Sequence, residues 1–426
     1  MKKEYIHLRP YLLLWSTQSL SGLGSAMTNF ALVIWLYQRS GSALETALLS
    51  ICSYAPYVLT SIFAGALSDR WNKKRTMLAC DSLAALCTIL VLALLKAGRL
   101  EPWHMYLLNG VNGLMNTVQQ PAGDVAATLL TPKEYYQKTS GLRSLSQSLI
   151  TILTPAIATA LFSFSGMDLV IAVDLCTFAI AFCALAFFIS IPEPPQKEKA
   201  QEKLLSSARA GLRWLQKNPL ILHLILFLAC INLVASAFNA TLPAFILPRE
   251  NGGETILGLV NAFEGIAALA GSVTATLLPK PKNRIRVICL SLIVSMSTEN
   301  FLLAFGRSPW IWCLGSILGW LSIPLMNANL DVVFRSSIPT EMQGRVYSCR
   351  NTLQFFTIPL GYFLGGLLVD RVFEPFLSVH PSGLPALLFG SGKGAGAAAM
   401  LFVLGISGVL VCAVFRHILK DYTFLE

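Results

Sequence analysis

Gly65-Ala66-Leu67-Ser68-Asp69-Arg70-Trp71-Asn72-Lys73-Lys74-Arg75 is the stretch on which the reading of the chain turns. It lies between two apolar runs, residues 44–68 and 76–97. A helix needs roughly 20 apolar residues to cross a hydrocarbon core of about 30 Å, and both runs have that length. A short connection bearing Arg70, Lys73, Lys74 and Arg75 ties the two spans into a hairpin. It also marks its side as cytoplasmic, where loops keep their Lys and Arg. Gly65 lets another backbone approach closely. Asp69 falls at the C-terminal end of its span, where the helix dipole disfavours an anion. It therefore needs a cation or the N-terminus of another helix. Two readings stand side by side: an ordinary positive-inside loop, or a charge with an exchangeable partner that works as a conformational switch.

The rest of the chain supports the membrane setting. Of 426 residues, 54% are hydrophobic and only 13% charged, against about 25% charged in a soluble domain. The net charge of +10 comes without a nucleic-acid motif or an aromatic-interleaved basic patch, so it reads as a topology signal. The ten Cys form no CxxC pair and the five His no metal-ligand spacing. The first apolar run is too long for a cleavable signal peptide and lacks a small-residue cleavage site.

Twelve spans are expected, at residues 11–37, 44–68, 76–97, 103–131, 141–165, 168–190, 219–247, 255–278, 286–306, 310–334, 347–372 and 394–416. With both termini cytoplasmic, 25 of the 32 Lys and Arg fall in inside segments and seven outside. An odd number of spans would scramble that bias. The polar stretch Glu193-Pro194-Pro195-Gln196-Lys197-Glu198-Lys199 opens a basic amphipathic connector that ends near Pro219. The expected division is an N-terminal six-helix bundle (1–192), a cytoplasmic linker (193–217) and a C-terminal bundle (218–426). Five identities at an offset of 207 pair Asp124 with Asp331, Pro132 with Pro339, Glu134 with Glu341, Arg143 with Arg350 and Gln147 with Gln354. The halves read as a parallel internal repeat.

The repeat is unequal at the opening motif. The corresponding connection, Leu278 to Arg286, is basic but has no Asp-Arg. Gly366-Leu367-Leu368-Val369-Asp370-Arg371 resembles a second copy, yet the topology puts it at the outer end of span 11, where it reads as a helix end. Span 4 carries Asn109, Asn112, Asn116 and Gln120 at helical spacing, and span 10 answers with Asn327, Asn329 and Asp331. Polar groups at bilayer depth are costly. They line an aqueous cavity or bond helix to helix, and both readings stay open. Asp81, near the basic loop, reads as its counter-ion; Asp174 and Glu299 read as structural. Glu264 lies deepest in its span with no cationic neighbour, which suits proton uptake and release or a hold on a cationic substrate. Gly390-Ser391-Gly392-Lys393-Gly394 is no phosphate loop: Leu387 replaces the first Gly and Gly394 follows the Lys in place of Ser or Thr. No nucleophile–base constellation suggests an enzyme.

The Gly65-x-x-x-Asp69-Arg70-x-x-Lys73-Lys74-Arg75 pattern resembles the signature loop of the major facilitator superfamily. Arg9-Pro10-Tyr11-Leu12-Leu13-Leu14-Trp15-Ser16-Thr17-Gln18-Ser19-Leu20-Ser21, Asp174 in Val-Asp-Leu-Cys-Thr-Phe, and Pro339-Thr340-Glu341-Met342-Gln343-Gly344-Arg345-Val346 resemble its macrolide-efflux and enterobactin-exporter branch of drug:proton antiporters. The chain departs from those exporters in two places: no Arg or Lys occurs between Arg99 and Lys133, and Thr154 replaces the Gly before Pro155. The resemblance implies an all-α membrane protein of twelve transmembrane helices in two six-helix bundles related by pseudo-twofold symmetry. It implies a bacterial inner-membrane exporter of a small amphipathic, macrolide-like molecule, working by rocker-switch alternating access with proton antiport. Siderophore export, lysophospholipid movement and uptake are the alternatives. Gly65, Asp69, Arg70, Lys73, Lys74 and Arg75 are the expected switch. Gln18, Asn29, Asn112, Asn116, Asn232, Asn239 and Asn327 are the expected substrate contacts, with Glu264 as the proton-coupling residue. Small molecule, protons and membrane lipid are the expected partners of a monomer, without nucleic acid, metal or cofactor.

Overall fold

The computed structural model describes residues 4–132, 135–192, 204–279, 281–379, 382–420 and 422. The side chains of residues 4–7, 61–70, 137, 140, 204–208, 340–341, 343–344 and 348 lie outside that description. No strand occurs among the described residues. The helices are α1 (Glu4–Ser40), α2 (Ala43–Arg70), α3 (Lys73–Lys96), α4 (Pro102–Leu129), α5 (Tyr136–Cys183), α6 (Leu204–Lys217), α7 (Pro219–Ile246) and α8 (Glu254–Leu277). After them come α9 (Arg284–Phe305), α10 (Pro309–Leu321), α11 (Ile323–Ser337), α12 (Thr340–Phe355), α13 (Thr357–Leu368), α14 (Glu374–Val379), α15 (Leu384–Phe389) and α16 (Ala395–Leu419).

Among the described residues nine helical stretches are long and apolar enough to cross a bilayer. One of them, Gly141–Phe188, is 48 residues long, enough for two passes. It reverses at Ser165 and Gly166, and Gly166 has a φ of +69°, a conformation that L side chains rarely adopt. The helices α2 and α4, of 28 residues each, also have spanning length. Together these supply the length for twelve crossings. Phe164, Phe187, Phe188 and Leu277 are each more than three-quarters exposed. In water such a surface invites association; in a bilayer it faces lipid. The protein is a multi-pass membrane protein.

Local chemistry explains the helix ends. Asn72 caps α3 by accepting from the Arg75 amide at 2.9 Å, and Asn283 caps α9 from the Arg286 amide at the same distance. The two basic connections thus share a cap even though only the first carries Asp-Arg. Pro324 has no N–H to continue the ladder from α10. The chain breaks there, and the Ser322 hydroxyl donates to the Ser291 carbonyl of α9 at 2.9 Å.

The chain divides into two compact units, residues 1–39 with 48–198, and residues 40–47 with 199–426. The first has an apolar core of Met27, Ala31, Leu36, Leu49, Met105, Val170 and Ile171. A second layer, with Leu8, Tyr11, Met77, Ala126 and Ile189, sits toward the other helix ends. In the second unit α7 packs on α13 and α16, α9 on α10, α11 and α16, and α8 on α10. Arg249, in the connection after α7, stacks over the Phe245 ring at 4.5 Å. It also donates to the carbonyls of Phe389 at 3.0 Å and Gly394 at 3.2 Å. Burial lowers its pKa to about 10, so it stays charged at neutral pH. The repeat is visible inside each unit. Arg143 pairs with Asp124 at 2.6 Å in the first. In the second, Arg350 lies in electrostatic reach of Asp331 and donates to Gln354 at 2.9 Å.

Candidate functional site

A cavity of about 500 Å³ opens within the first unit, lined from α1, α3, α4 and α5. Its size suits a drug-sized molecule, for which pockets run roughly 300–1,000 Å³. Residues three, four or seven apart on a helix share a face. Gln18, Ser21, Ser25 and Asn29 of α1 follow that spacing, as do Asn109, Asn112, Asn116 and Gln120 of α4, and all of them line the cavity. The polar ladder of span 4 is therefore a lining in the main. Asn109 lines the cavity and bonds helix to helix as well: it is buried, and its Nδ2 donates to the Leu49 carbonyl of α2 at 2.9 Å.

Two carboxylates face this space, and among the described residues no Lys, Arg or His lines it. Asp81 sits eight residues into α3, about 12 Å along the helix at 1.5 Å per residue. Its Oδ2 accepts from Gln18 Nε2 at 3.2 Å and its Oδ1 from Gln119 Nε2 at 2.6 Å. The expectation that Asp81 balances the basic loop gives way here: among the described residues its partners are two amides. Asp174 accepts from Ser25 at 3.1 Å and Thr28 at 2.8 Å. Nothing in the sequence pairs Asp81 with Gln119. They stand 38 positions apart on different helices, and only the periodicity of α4 hinted at the facing side.

The other expected substrate contacts belong to the second unit. Asn232 donates to the Gln354 carbonyl at 3.0 Å, an inter-helix bond from α7 to α12. Asn239 and Asn327 are exposed. Glu264 on α8 is 9% exposed, and its Oε1 has no hydrogen-bond partner. It lies in electrostatic reach of Glu299 on α9, which accepts from Trp320 Nε1 at 3.1 Å.

Within the opening motif, the side chains of Asp69 and Arg70 and the surroundings of Gly65 lie outside the description; α2 itself runs through Arg70. Lys73 is buried and donates to the Trp71 carbonyl at 3.1 Å. Arg75 is exposed. Lys74 reaches the end of the sixth span and donates to the carbonyls of Ala186 at 2.9 Å and Ile189 at 2.8 Å. A cation there meets unpaired carbonyls and the negative end of a helix dipole. Lys74→Met should lower stability by about 3–6 kcal/mol, the loss of two hydrogen bonds from a charged donor. A melting curve of the detergent-purified variant checks this; a Tm within one degree of the parent would contradict it.

Comparison with known proteins places this geometry. The Major Facilitator Superfamily profile matches residues 14–362. Macrolide efflux protein A of Streptococcus pyogenes is 24% identical over 84% of this chain and 89% of its own length. Enterobactin exporter EntS of Escherichia coli O1:K1 / APEC is 25% identical over 76% and 77%. The crystal structure of a bacterial homologue of the iron transporter ferroportin superposes with a TM-score of 0.70, covering 96% of this chain and 98% of that one at 15% identity. A helical membrane chain whose polar cavity is walled by its own first unit thus finds its relatives among transporters: it belongs to the Major Facilitator Superfamily.

Proposed function

We propose that the protein exports a small amphipathic molecule bearing a basic amine, by alternating access and in exchange for protons, with both termini in the cytoplasm. It acts as a monomer in the cytoplasmic membrane. The observation that carries the reading is the cavity of about 500 Å³ with two carboxylates, a ladder of amides and, among the described residues, no cation on its wall. Amides and hydroxyls from Gln18, Asn29, Asn112 and Asn116 would bond the polar part of the cargo. Asp81 would attract its positive charge in a medium where Coulombic attraction is much stronger than in water. Leu32, Val91, Leu108 and Phe178 offer the apolar part of the wall. The names of the relatives, a macrolide efflux protein and an enterobactin exporter, favour export.

Glu264 is the proposed proton carrier. It has a free oxygen and no ion-pair partner among the described residues, as a group that must gain and lose a proton requires. The test is a thermal-shift screen of the purified protein against cationic, neutral and anionic amphipaths. Transport of the hits into inverted vesicles, with and without a pH gradient, follows. Stabilisation by cationic compounds and their gradient-driven uptake is the expected result. Stabilisation by anionic compounds alone would remove the charge argument.

A further inference from the structure

We propose that Glu264, Glu299 and Ser316 form a binding site for a sodium ion in the core of the second unit. The inference goes beyond the reading of Glu264 as a proton carrier and does not depend on it, since an ion can bind there without driving transport. The three groups come from three helices, α8, α9 and α10, and α10 packs against both of the others. All three are enclosed: Glu264 is 9% exposed, Glu299 4% and Ser316 0%.

Contacts along α10 bring the three to one level. Glu299 lies against Gly319, where a Cβ would stand 2.7 Å from the Glu299 Cβ and 2.9 Å from its Oε2. The next residue, Trp320, donates to Glu299 Oε1 at 3.1 Å. Ser316 precedes these two by three and four positions and so shares their face of the helix. On the side of α8, a Cβ on Gly271 would collide with the Leu321 carbonyl oxygen, so the two backbones meet there. The chain returns through α9 between α8 and α10, so these two helices run in the same direction. Glu264 precedes Gly271 by seven positions, two turns back along the same face. That puts it about 10 Å before the Gly271 contact at 1.5 Å per residue, the level of Leu314 to Ser316 on α10. The electrostatic reach between Glu264 and Glu299 agrees with this placement.

Two carboxylates this close and out of water repel each other, and each is costly to charge without a partner. Helices α8 and α10 contain no Lys, Arg or His. The cations of α9 are Arg284 and Arg286, and the nearer one precedes Glu299 by thirteen residues, about 20 Å along the axis. Trp320 serves one oxygen of Glu299. Among the described residues Glu264 Oε1 and Ser316 Oγ are buried without a hydrogen-bond partner. Buried polar atoms of that kind call for an explanation such as an ion. A proton answers for Glu264 alone, whereas a hard cation, which takes oxygen ligands, answers for all three groups at once. Two carboxylates and a hydroxyl fall short of the acid-rich shell of a divalent ion. Among the described residues no group of three or more His, Cys, Asp or Glu is placed to hold one. A small monovalent ion fits this ligand set, which makes sodium the occupant.

Binding of radioactive sodium to the purified full chain in detergent tests this, at fixed pH and with choline chloride holding the ionic strength constant. Glu264→Gln, Glu299→Gln, Ser316→Ala and, from the other unit, Asp81→Asn are measured beside the parent. The parent should bind sodium at a single saturable site. An excess of about 100-fold over the Kd should multiply the folding constant about 100-fold, read as a rise in Tm that potassium and choline do not reproduce. Glu264→Gln and Glu299→Gln should each weaken binding at least about tenfold, and Ser316→Ala about three- to tenfold. Asp81→Asn should bind as the parent does. Absence of saturable binding in the parent would overturn the proposal, and so would equal binding in the parent and Glu264→Gln. Equal stabilisation by sodium, potassium and choline would mark an effect of ionic strength and overturn it too. Should a Glu variant fail to fold, Ser316→Ala, the smallest change, carries the test, and an unaltered affinity in it counts against the site. No pH gradient enters these measurements. Loss of proton-driven export would therefore leave the sodium site standing, and absence of sodium binding would leave the proton reading of Glu264 standing.

Discussion

Asp81→Asn is expected to raise the KM for a cationic cargo about 10- to 150-fold while the protein still folds. The variant separates charge from shape. Gln18 and Gln119 both reach Asp81 through Nε2, and either side-chain amide can turn to offer its oxygen to an Asn. The hydrogen bonds can thus be repaired, and no large cavity is left. The negative charge cannot be repaired, because among the described residues no other carboxylate touches those amides and Asp174 sits on α5, bonded to Ser25 and Thr28 of α1. A hydrogen bond to a charged partner contributes about 1.5–3 kcal/mol, and each 1.4 kcal/mol is a factor of ten in affinity; the range follows. Transport kinetics of a cationic hit in proteoliposomes provide the check, with a neutral analogue as control. The neutral compound should lose less than fivefold. A KM for the cation within twofold of the parent would show that Asp81 does not meet the cargo.

That prediction concerns a residue whose importance the sequence hides, and the reason is physical. Hydropathy and loop charge are local quantities, so the spans and their ends were legible. The expected break between 165 and 168 falls at Gly166, and the span expected at 219–247 is Pro219–Ile246. The helical period exposed the polar face of α4, although it did not show that Asn109 bonds to α2 as well as lining the cavity with Asn112 and Asn116. Pairings between distant helices were not legible. Asp81 stands six residues after Arg75 in the chain, which invites an ion pair, but α3 carries it along the axis to the amides of α1 and α4. Asp370 was hidden for the same reason. Its three donors, the Ser42 hydroxyl and the amides of Ala43 and Leu44, lie more than 320 residues away, and only folding brings a helix start to that carboxylate. The shared caps of Asn72 and Asn283 are a milder case: an Asn three residues before an Arg in both connections was available to the eye and marks the duplication where Asp-Arg is missing.

Glu264→Gln should uncouple export from the pH gradient and leave the fold intact. A proton carrier needs a group that no fixed cation neutralises, in a place water reaches only in some conformations. Glu264 has a buried oxygen without a partner, and it lies in electrostatic reach of another carboxylate, Glu299, bonded to Trp320 at 3.1 Å. Gln keeps the volume and one carbonyl oxygen, so packing of α8 against α10 and α11 survives, while the exchangeable proton is gone. A gradient of one pH unit is worth about 1.4 kcal/mol per proton, which sustains at most tenfold accumulation of cargo for each proton exchanged. In vesicles with that gradient the parent should approach this limit, and Glu264→Gln should fall to equal concentrations on both sides. Exchange of labelled for unlabelled cargo without a gradient should continue, since it needs the cavity of the first unit and no net proton movement. Glu299→Gln, made in parallel, keeps an acceptor for Trp320 and leaves Glu264 titratable, so it should retain a gradient response. Accumulation in Glu264→Gln equal to that of the parent would remove Glu264 from the coupling step and leave the cavity carboxylates, Asp81 and Asp174, as the groups through which protons and cargo compete.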